Sequence, residues 1–134
     1  MMHILVVDDD DGSLRGMQIA LEMLGHTCDT YTDPIEAMRD CIGLGYIDKY
    51  DALVTDIQMP TLNGIRLAGL LQYLVPELKI VVISGSATED TKQELAQYGF
   101  YTLLHKPVSA QQLSAALQKE FSGISAASRK NIVN

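Results

Sequence analysis

Five residues with reactive or ion-binding side chains stand directly after four short apolar runs. Asp8 and Asp9 follow ILVV, Asp56 follows ALVT, Ser84 follows IVVI, and Lys106 follows TLLH. If these runs are parallel strands, their carboxyl ends meet at one edge of a sheet, which is where α/β proteins bind ligands. Three carboxylates, a hydroxyl and an ammonium would then lie close together.

Such a cluster needs a counter-charge. Aspartate commonly caps helices and forms turns at strand ends, so each residue taken alone favours an ordinary structural role. Together, however, two carboxylates ~4 Å apart repel by about 4 kcal/mol at an effective dielectric of ~20. Lys106 supplies one positive charge, and a divalent cation held by carboxylate oxygens would supply the rest. A small site of carboxylates and waters suits Mg²⁺ better than Ca²⁺.

A Mg²⁺ site beside a lysine and a hydroxyl is suited to phosphoryl transfer, because all three groups stabilise the charge of the transferring oxygens. One carboxylate can then act as the nucleophile. Asp56 is the best candidate because it stands alone after a predicted central strand. The pair of Asp8 and Asp9 is better suited to hold metal, directly and through water. The product would be an aspartyl phosphate.

The apolar runs alternate with helical patterns, which is typical of parallel α/β proteins. The runs predict strands over residues 3–7, 27–32, 52–55, 80–83 and 102–105, and the second is polar enough to be an edge strand. Helices are predicted over about 14–24, 34–43, 63–74, 88–98 and 109–121, the second with Asp33 as its N-cap and Pro34 as its first residue. Right-handed crossovers then give a doubly wound five-stranded parallel sheet with helices on both faces.

Length and charge narrow the classes further. The 134 residues predict one domain over 1–121 and a short C-terminal tail over 122–134, which could serve as a linker. A net charge of −7 disfavours direct contact with nucleic acid and with anionic membranes. Apolar runs of four to six residues predict neither a transmembrane helix nor a secretory signal, so we expect a cytoplasmic protein.

Five motifs in order and spacing resemble the receiver domain of two-component response regulators. They are ILVVDDD, LVTDIQMP, NG, VVISGSA and LLHKP, and the resemblance covers residues 2 to about 121. It implies a flavodoxin-like fold with strand order 2-1-3-4-5. It also implies a cytoplasmic phosphoprotein of a phosphorelay, which catalyses only its own phosphorylation and dephosphorylation and is not an enzyme for a separate substrate.

Site roles follow from the same resemblance. Asp56 looks like the phosphoacceptor, served by a sensor histidine kinase or a histidine phosphotransfer protein. Asp9 and Asp56 look like direct Mg²⁺ ligands, Asp8 would act through water, and the backbone carbonyl of Gln58 would be the third protein ligand. Mg²⁺ is therefore the implied cofactor.

The resemblance also assigns the switching residues. Ser84 would donate to the phosphoryl group and draw its loop inward, while Lys106 would pair with a phosphoryl oxygen and precede a cis proline. The family usually carries an aromatic residue where this chain has Leu103, so switching by an aromatic rotamer is not expected. Alternation turns His105 away from the acidic edge, and we expect it to be packed or hydrogen-bonded. Implied partners are a downstream protein or output domain, and a homodimer through the fourth helix, fifth strand and fifth helix.

Two other functions compete with this interpretation. A receiver-like scaffold could bind partners without phosphorylation, although the complete set of site residues argues against it. An aspartate-nucleophile phosphatase could use the acids of VVDDDDGS, but that class needs a late acidic pair, and Glu120 is the only acid after Lys106. The sequence leaves open the cognate kinase, the output, and whether this receiver stands alone or belongs to a longer chain.

Overall fold

The computed structural model describes residues 1–121, so the predicted tail over 122–134 lies outside the described residues. The strands are β1 (His3–Val7), β2 (Thr27–Tyr31), β3 (Ala52–Asp56), β4 (Lys79–Ser84) and β5 (Leu103–His105). The α-helices are α1 (Asp11–Met23), α2 (Pro34–Gly43), α3 (Gly64–Leu74), α4 (Glu89–Tyr98) and α5 (Ala110–Phe121). A 3₁₀ turn, Tyr46–Lys49, precedes β3.

The five strands form one parallel sheet in the order β2-β1-β3-β4-β5. This confirms the predicted fold class and strand order, including β2 at an edge. Two strands extend one residue beyond their predicted ends, because Asp56 pairs with Ile83 and Ser84 pairs with His105 in register. Asp56 and Ser84 are therefore held by the sheet itself rather than by the loops that follow it.

Alternate strand residues bury against helices on opposite faces of the sheet. Leu5, Val7 and Leu53 belong to the core shared with α2, α3 and α4. Ile4 and Val54 belong to the core shared with α1 and α5. All five side chains are fully buried, and each contributes ~1.5 to 3 kcal/mol relative to an exposed side chain. The sheet is consequently a rigid platform for groups at its carboxyl edge.

Side-chain caps set the starts of four helices. The N-caps are Asp10, Asp33, Asn63 and Thr88, each accepting a hydrogen bond from a backbone N–H in the first turn. Asp33 and Pro34 occupy the predicted positions. The cap of α1 is Asp10, so Asp8 and Asp9 are not required to cap it. Within residues 1–121, no helix has the length and apolar character needed to cross a bilayer.

Candidate functional site

The predicted reactive residues converge at the carboxyl edge of the sheet. Asp8 follows β1, Asp56 ends β3, Ser84 ends β4, and Lys106 follows β5. Because β1, β3, β4 and β5 are consecutive and parallel, their carboxyl ends bring these groups together although they lie up to 98 residues apart in sequence. The fold thus assembles the cluster in the manner expected from the sequence.

Three carboxylates form the centre of the site. Asp8, Asp9 and Asp56 each present one oxygen, and these oxygens lie within 4.8 Å of one another. Asp8 is fully buried and Asp56 is 6% exposed, whereas Asp9 is exposed. The backbone N–H of Asp8 donates to the Tyr31 carbonyl at 3.1 Å, which extends the β1–β2 ladder to the site. The cluster of three carboxylates is therefore shielded from solvent on the side of Asp8 and Asp56 and faces solvent on the side of Asp9.

Lys106 bridges the two buried acids. Its Nζ lies 3.0 Å from Asp8 Oδ2 and 3.1 Å from Asp56 Oδ2. Its backbone N–H donates to the Ser84 carbonyl at 2.9 Å, so β5 pairing fixes the base of the lysine. The Lys106–Pro107 peptide bond is cis, as the resemblance implies. One ammonium thus serves two carboxylates at nearly equal distances.

This arrangement leaves negative charge uncompensated. Burial raises the pKa of Asp8, and the nearby Asp56 adds to this, although the Asp10 N–H and Lys106 oppose it. Burial alone would lower the pKa of Lys106, but its close ion pairs with Asp8 and Asp56 hold that pKa above the ordinary value. Lys106 is accordingly protonated at neutral pH. The site therefore favours a further cation.

One carboxylate oxygen also lacks a hydrogen-bond donor. Asp8 Oδ1 accepts from the Asp10 N–H at 2.9 Å. Asp8 Oδ2 is buried, and its contact with the Lys106 ammonium is not aligned as a hydrogen bond, so it has no hydrogen-bond donor within residues 1–121. A metal-bound water would satisfy this oxygen, and hard carboxylate oxygens are the ligands that Mg²⁺ prefers. The residues present fit a Mg²⁺ site.

Asp56 is positioned by its own backbone surroundings. Asp56 Oδ1 accepts from the Ile57 N–H at 2.8 Å, which leaves Oδ2 for Lys106. Gly64 N–H donates to the Ile57 carbonyl at 2.8 Å, and a Cβ at Gly64 would lie only 1.8 Å from the Asp56 carbonyl oxygen. The sequence motif NG indicated the start of a helix but not this close approach. The sequence therefore did not reveal that Gly64 belongs to the site, where it allows α3 to approach the Asp56 backbone.

Two loops meet above the acids. Ser84 is fully buried, and its Oγ accepts from the Ser86 N–H at 3.1 Å. Gln58 has an exposed side chain whose Nε2 donates to the Ser86 carbonyl at 3.4 Å. The β3–α3 loop is thereby linked to the β4–α4 loop. Gly85 is exposed and has open space where a side chain would project, so it does not cover the acids.

Neighbouring residues on β5 do not join the cluster. Leu103 is half-buried and packs against the core beneath α4, in the position where the related family usually carries an aromatic residue. His105 is exposed and its side chain has no hydrogen-bond partner within residues 1–121, so the prediction of a packed or hydrogen-bonded histidine is wrong. The physical reason is that β5 is the edge strand and ends at His105, which leaves that side chain without a covering element.

Comparisons with known proteins converge on one family. The family model for the response regulator receiver domain matches residues 4–118. The sensor histidine kinase RcsC of Salmonella typhi is 31% identical over 118 residues, which are 87% of this chain and 12% of that protein. The C4-dicarboxylate transport transcriptional regulatory protein DctD of Rhizobium meliloti (strain 1021) is 28% identical over 82% of this chain and 23% of its own length.

A solved structure agrees with these relatives. A response regulator receiver domain protein from Clostridium thermocellum superposes with a TM-score of 0.81 at 25% identity, covering 100% of both chains. The curated relatives are much longer than this chain, which spans about an eighth of RcsC and about a quarter of DctD. The matched segment is in each case a small part of a kinase or of a transcriptional regulator.

Proposed function

The chain belongs to the family of response regulator receiver domains, and from this premise we propose that it accepts a phosphoryl group on Asp56 and switches conformation in response. The observation that carries the proposal is the bridging of Asp8 and Asp56 by a single ammonium, that of Lys106, in a site that still lacks positive charge. A phosphoryl acceptor needs such an electrophilic surrounding for its incoming oxygens. The donor we propose is a sensor histidine kinase or a histidine phosphotransfer protein.

The transfer exchanges one bond to phosphorus for another. Asp56 Oδ2 attacks phosphorus, a P–O bond forms, and the P–N bond of the donor phosphohistidine breaks. The imidazole leaves with the electron pair and takes a proton from solvent. Lys106 Nζ, now 3.1 Å from Asp56 Oδ2, is placed to pair with a phosphoryl oxygen.

A metal ion completes the charge balance. Asp9, Asp56 and the Gln58 backbone carbonyl would hold Mg²⁺, and Asp8 would act through a water on its unfilled oxygen. When bound, Mg²⁺ would supply positive charge to the phosphoryl oxygens as the transfer proceeds. The exposed position of Asp9 suits a direct ligand, while the burial of Asp8 suits an indirect one.

Ser84 carries the switch in this proposal. Its Oγ accepts from the Ser86 N–H, so the hydroxyl proton is available for a phosphoryl oxygen on Asp56. Donating that proton to the phosphoryl group draws the β4–α4 loop inward. Gln58 and Ser86 stand two residues beyond Asp56 and Ser84, are exposed and are hydrogen-bonded to each other, and we expect them to set the phosphoryl lifetime.

The partners follow from the same role. Relatives of this chain include sensor kinases and transcriptional regulators. This supports a kinase as the phosphoryl donor and a downstream protein or output domain as the target that the phosphorylated domain controls. We propose that the domain spans residues 1–121, that 122–134 serve as a tail or linker, and that the protein works in the cytoplasm. A homodimer through α4, β5 and α5 is part of the proposal.

Intact mass after incubation with acetyl phosphate and Mg²⁺ tests the proposal. We expect a single phosphoryl adduct on the wild-type protein, none when the metal is chelated, and none on Asp56→Asn. Asp51→Asn is a matched control, because Asp51 precedes β3 at the opposite edge of the sheet and should leave the adduct intact. Absence of the wild-type adduct under every condition would instead favour a phosphorylation-independent scaffold. Turnover of a small phosphoester by the unphosphorylated protein would favour the phosphatase.

A further inference from the structure

The ring of Tyr98 rests on a glycine of the neighbouring helix. Tyr98 is the last residue of α4, and a Cβ built at Gly69 of α3 would lie 2.5 Å from its Cε1 and 2.9 Å from its Cδ1. The ring also stacks on Phe100, with centroids 5.5 Å apart and planes inclined by 8°. We call the contact of Tyr98 with Gly69 and Phe100 the Tyr98 seat. Only glycine at position 69 leaves room for it.

This seat is a large part of what attaches α4 to the domain. Leu95 is the one residue of α4 that is buried, and Tyr98 itself is 44% exposed. Beyond the helix, Phe100 is 5% exposed and its N–H donates to the Leu95 carbonyl at 2.9 Å, so the chain after α4 is fixed in the core. Because so few of its residues are buried, only a small free energy holds this helix in place, and the helix can change position.

The other end of α4 is tied to the candidate phosphorylation site. Four residues, 85–88, separate Ser84 from the start of the helix at Glu89. Ser86 donates its N–H to Ser84 Oγ, and Thr88 caps the helix. If Ser84 turns toward a phosphoryl group on Asp56, so short a connection must pass the movement to α4. Gly99, with φ of +79°, lies between the moving helix and the fixed Phe100.

We propose that Tyr98 is a positioning residue whose seat holds α4 in the unphosphorylated arrangement and thereby opposes binding of a phosphoryl group at Asp56. This rests on the proposed function. The seat belongs to a structure in which Asp56 is a free carboxylate whose Oδ2 contacts Lys106 Nζ directly at 3.1 Å, that is, to the state without phosphoryl. A contact made in one state only shifts the equilibrium toward that state, so weakening it must tighten a ligand of the other state by up to the same factor.

Beryllofluoride, an acyl phosphate mimic, is the probe for this coupling. Its dissociation constant is measured by calorimetry with Mg²⁺ on the full chain, for wild type, Gly69→Ala and Tyr98→Ala. Both variants should bind on the order of fivefold more tightly than wild type, which is the lower end of usual coupling between sites. Tyr98→Phe keeps the ring and should bind as wild type does.

A matched glycine separates the seat from helix propensity. Gly16 lies in the middle of α1, is exposed, and has no atom within 4 Å of an added Cβ. Gly16→Ala gains the same intrinsic helix propensity as Gly69→Ala, so its affinity for beryllofluoride should stay at the wild-type value. In the double variant of Gly69→Ala with Tyr98→Ala, no ring remains to be displaced, and its dissociation constant should equal that of Tyr98→Ala alone.

The outcomes are distinguishable. If wild type forms no Asp56 adduct and binds no beryllofluoride, the proposed function fails. If wild type binds but Tyr98→Ala binds no more tightly than Tyr98→Phe, the seat is only structural and the inference is overturned. That comparison decides the matter even if Gly69→Ala does not fold.

Discussion

Replacing Asp8 with asparagine should stabilise the metal-free protein at pH 7. Burial holds the pKa of Asp8 above its ordinary value of 3.8, so the folded state disfavours the charged form. Stability from such a group is complete below the unfolded pKa and is lost as pH rises through the folded pKa. Wild type therefore loses this stability as the pH rises, and asparagine avoids the loss because it carries no charge.

The size of the stability gain follows from the balance between the attraction of Asp8 to Lys106 and the two effects that oppose it, repulsion by Asp56 and burial of the charge. At 4.8 Å or less and an effective dielectric of ~20, Asp8 and Asp56 repel by at least about 3.5 kcal/mol. Lys106, 3.0 Å from Asp8, attracts it by about 5.5 kcal/mol on the same scale. Burying the charge costs several kcal/mol more, which outweighs the remaining attraction. We expect a net gain on the order of 1 kcal/mol for Asp8→Asn, or a rise in Tm of about 4 °C.

Thermal unfolding followed by circular dichroism in chelator measures this gain. The advantage of Asp8→Asn should be largest at pH 7, should fall as the pH is lowered through the raised pKa of Asp8, and should vanish below the ordinary value of 3.8. Asp48→Asn removes the same charge from an exposed residue at the opposite edge of the sheet and should show no such pH dependence. A lower Tm for Asp8→Asn at pH 7, or an advantage of equal size at pH 4, would refute the electrostatic reasoning.

Adding Mg²⁺ should make wild type more stable than Asp8→Asn. A ligand at 100 times its Kd stabilises the folded state by about 2.7 kcal/mol, and wild type should gain this at sufficient Mg²⁺. Asp8→Asn loses the carboxylate oxygen that lacks a donor in wild type, so its gain should be smaller. Equal stabilisation of both proteins across a Mg²⁺ titration would remove Asp8 from the metal site.

Three further substitutions test individual contacts. Gly64→Ala places a Cβ 1.8 Å from the Asp56 carbonyl oxygen and should cost more than 2 kcal/mol in urea unfolding, whereas an unchanged midpoint would mean that the α3 start relaxes freely. Thr102→Val removes the hydroxyl that donates to Glu120 from a site 4% exposed, and should cost about 1 kcal/mol by the same assay. Lys106→Ala should keep Mg²⁺ affinity by calorimetry yet destabilise the metal-free fold by on the order of 2 kcal/mol, and a loss of metal binding would contradict its assignment.

The sequence predicted the sheet and the cluster because both depend on short-range patterns. Buried parallel strands require nearly continuous apolar runs, and the first polar residue after each run must lie at the carboxyl edge. This logic located Asp8, Asp56 and Lys106 without any knowledge of the strand order. It misjudged where two strands end, because Asp56 and Ser84 continue the ladder and only pairing partners reveal that.

Contacts between elements distant in sequence were not predictable in the same way. Gly69 sits within an apolar helical pattern, and no local signal distinguishes it from Gly16, although one supports a tyrosine ring and the other faces solvent. His105 was misjudged for a related reason. Alternation gives the face of a strand, but whether a helix covers that face at the strand's last residue depends on packing.

The charge imbalance at the site explains why stability and function oppose each other here. A protein selected only for stability would replace Asp8 with a neutral residue, since Lys106 cannot satisfy Asp8 and Asp56 together with Asp9 nearby. The excess negative charge is useful only if a cation, and then a phosphoryl group with its metal, occupies the site. Each such ligand would relieve repulsion among the carboxylates, so binding energy would be available for the proposed movement of Ser84 and the helix that follows it. The same carboxylates that weaken the metal-free fold would therefore supply the bias between the two states.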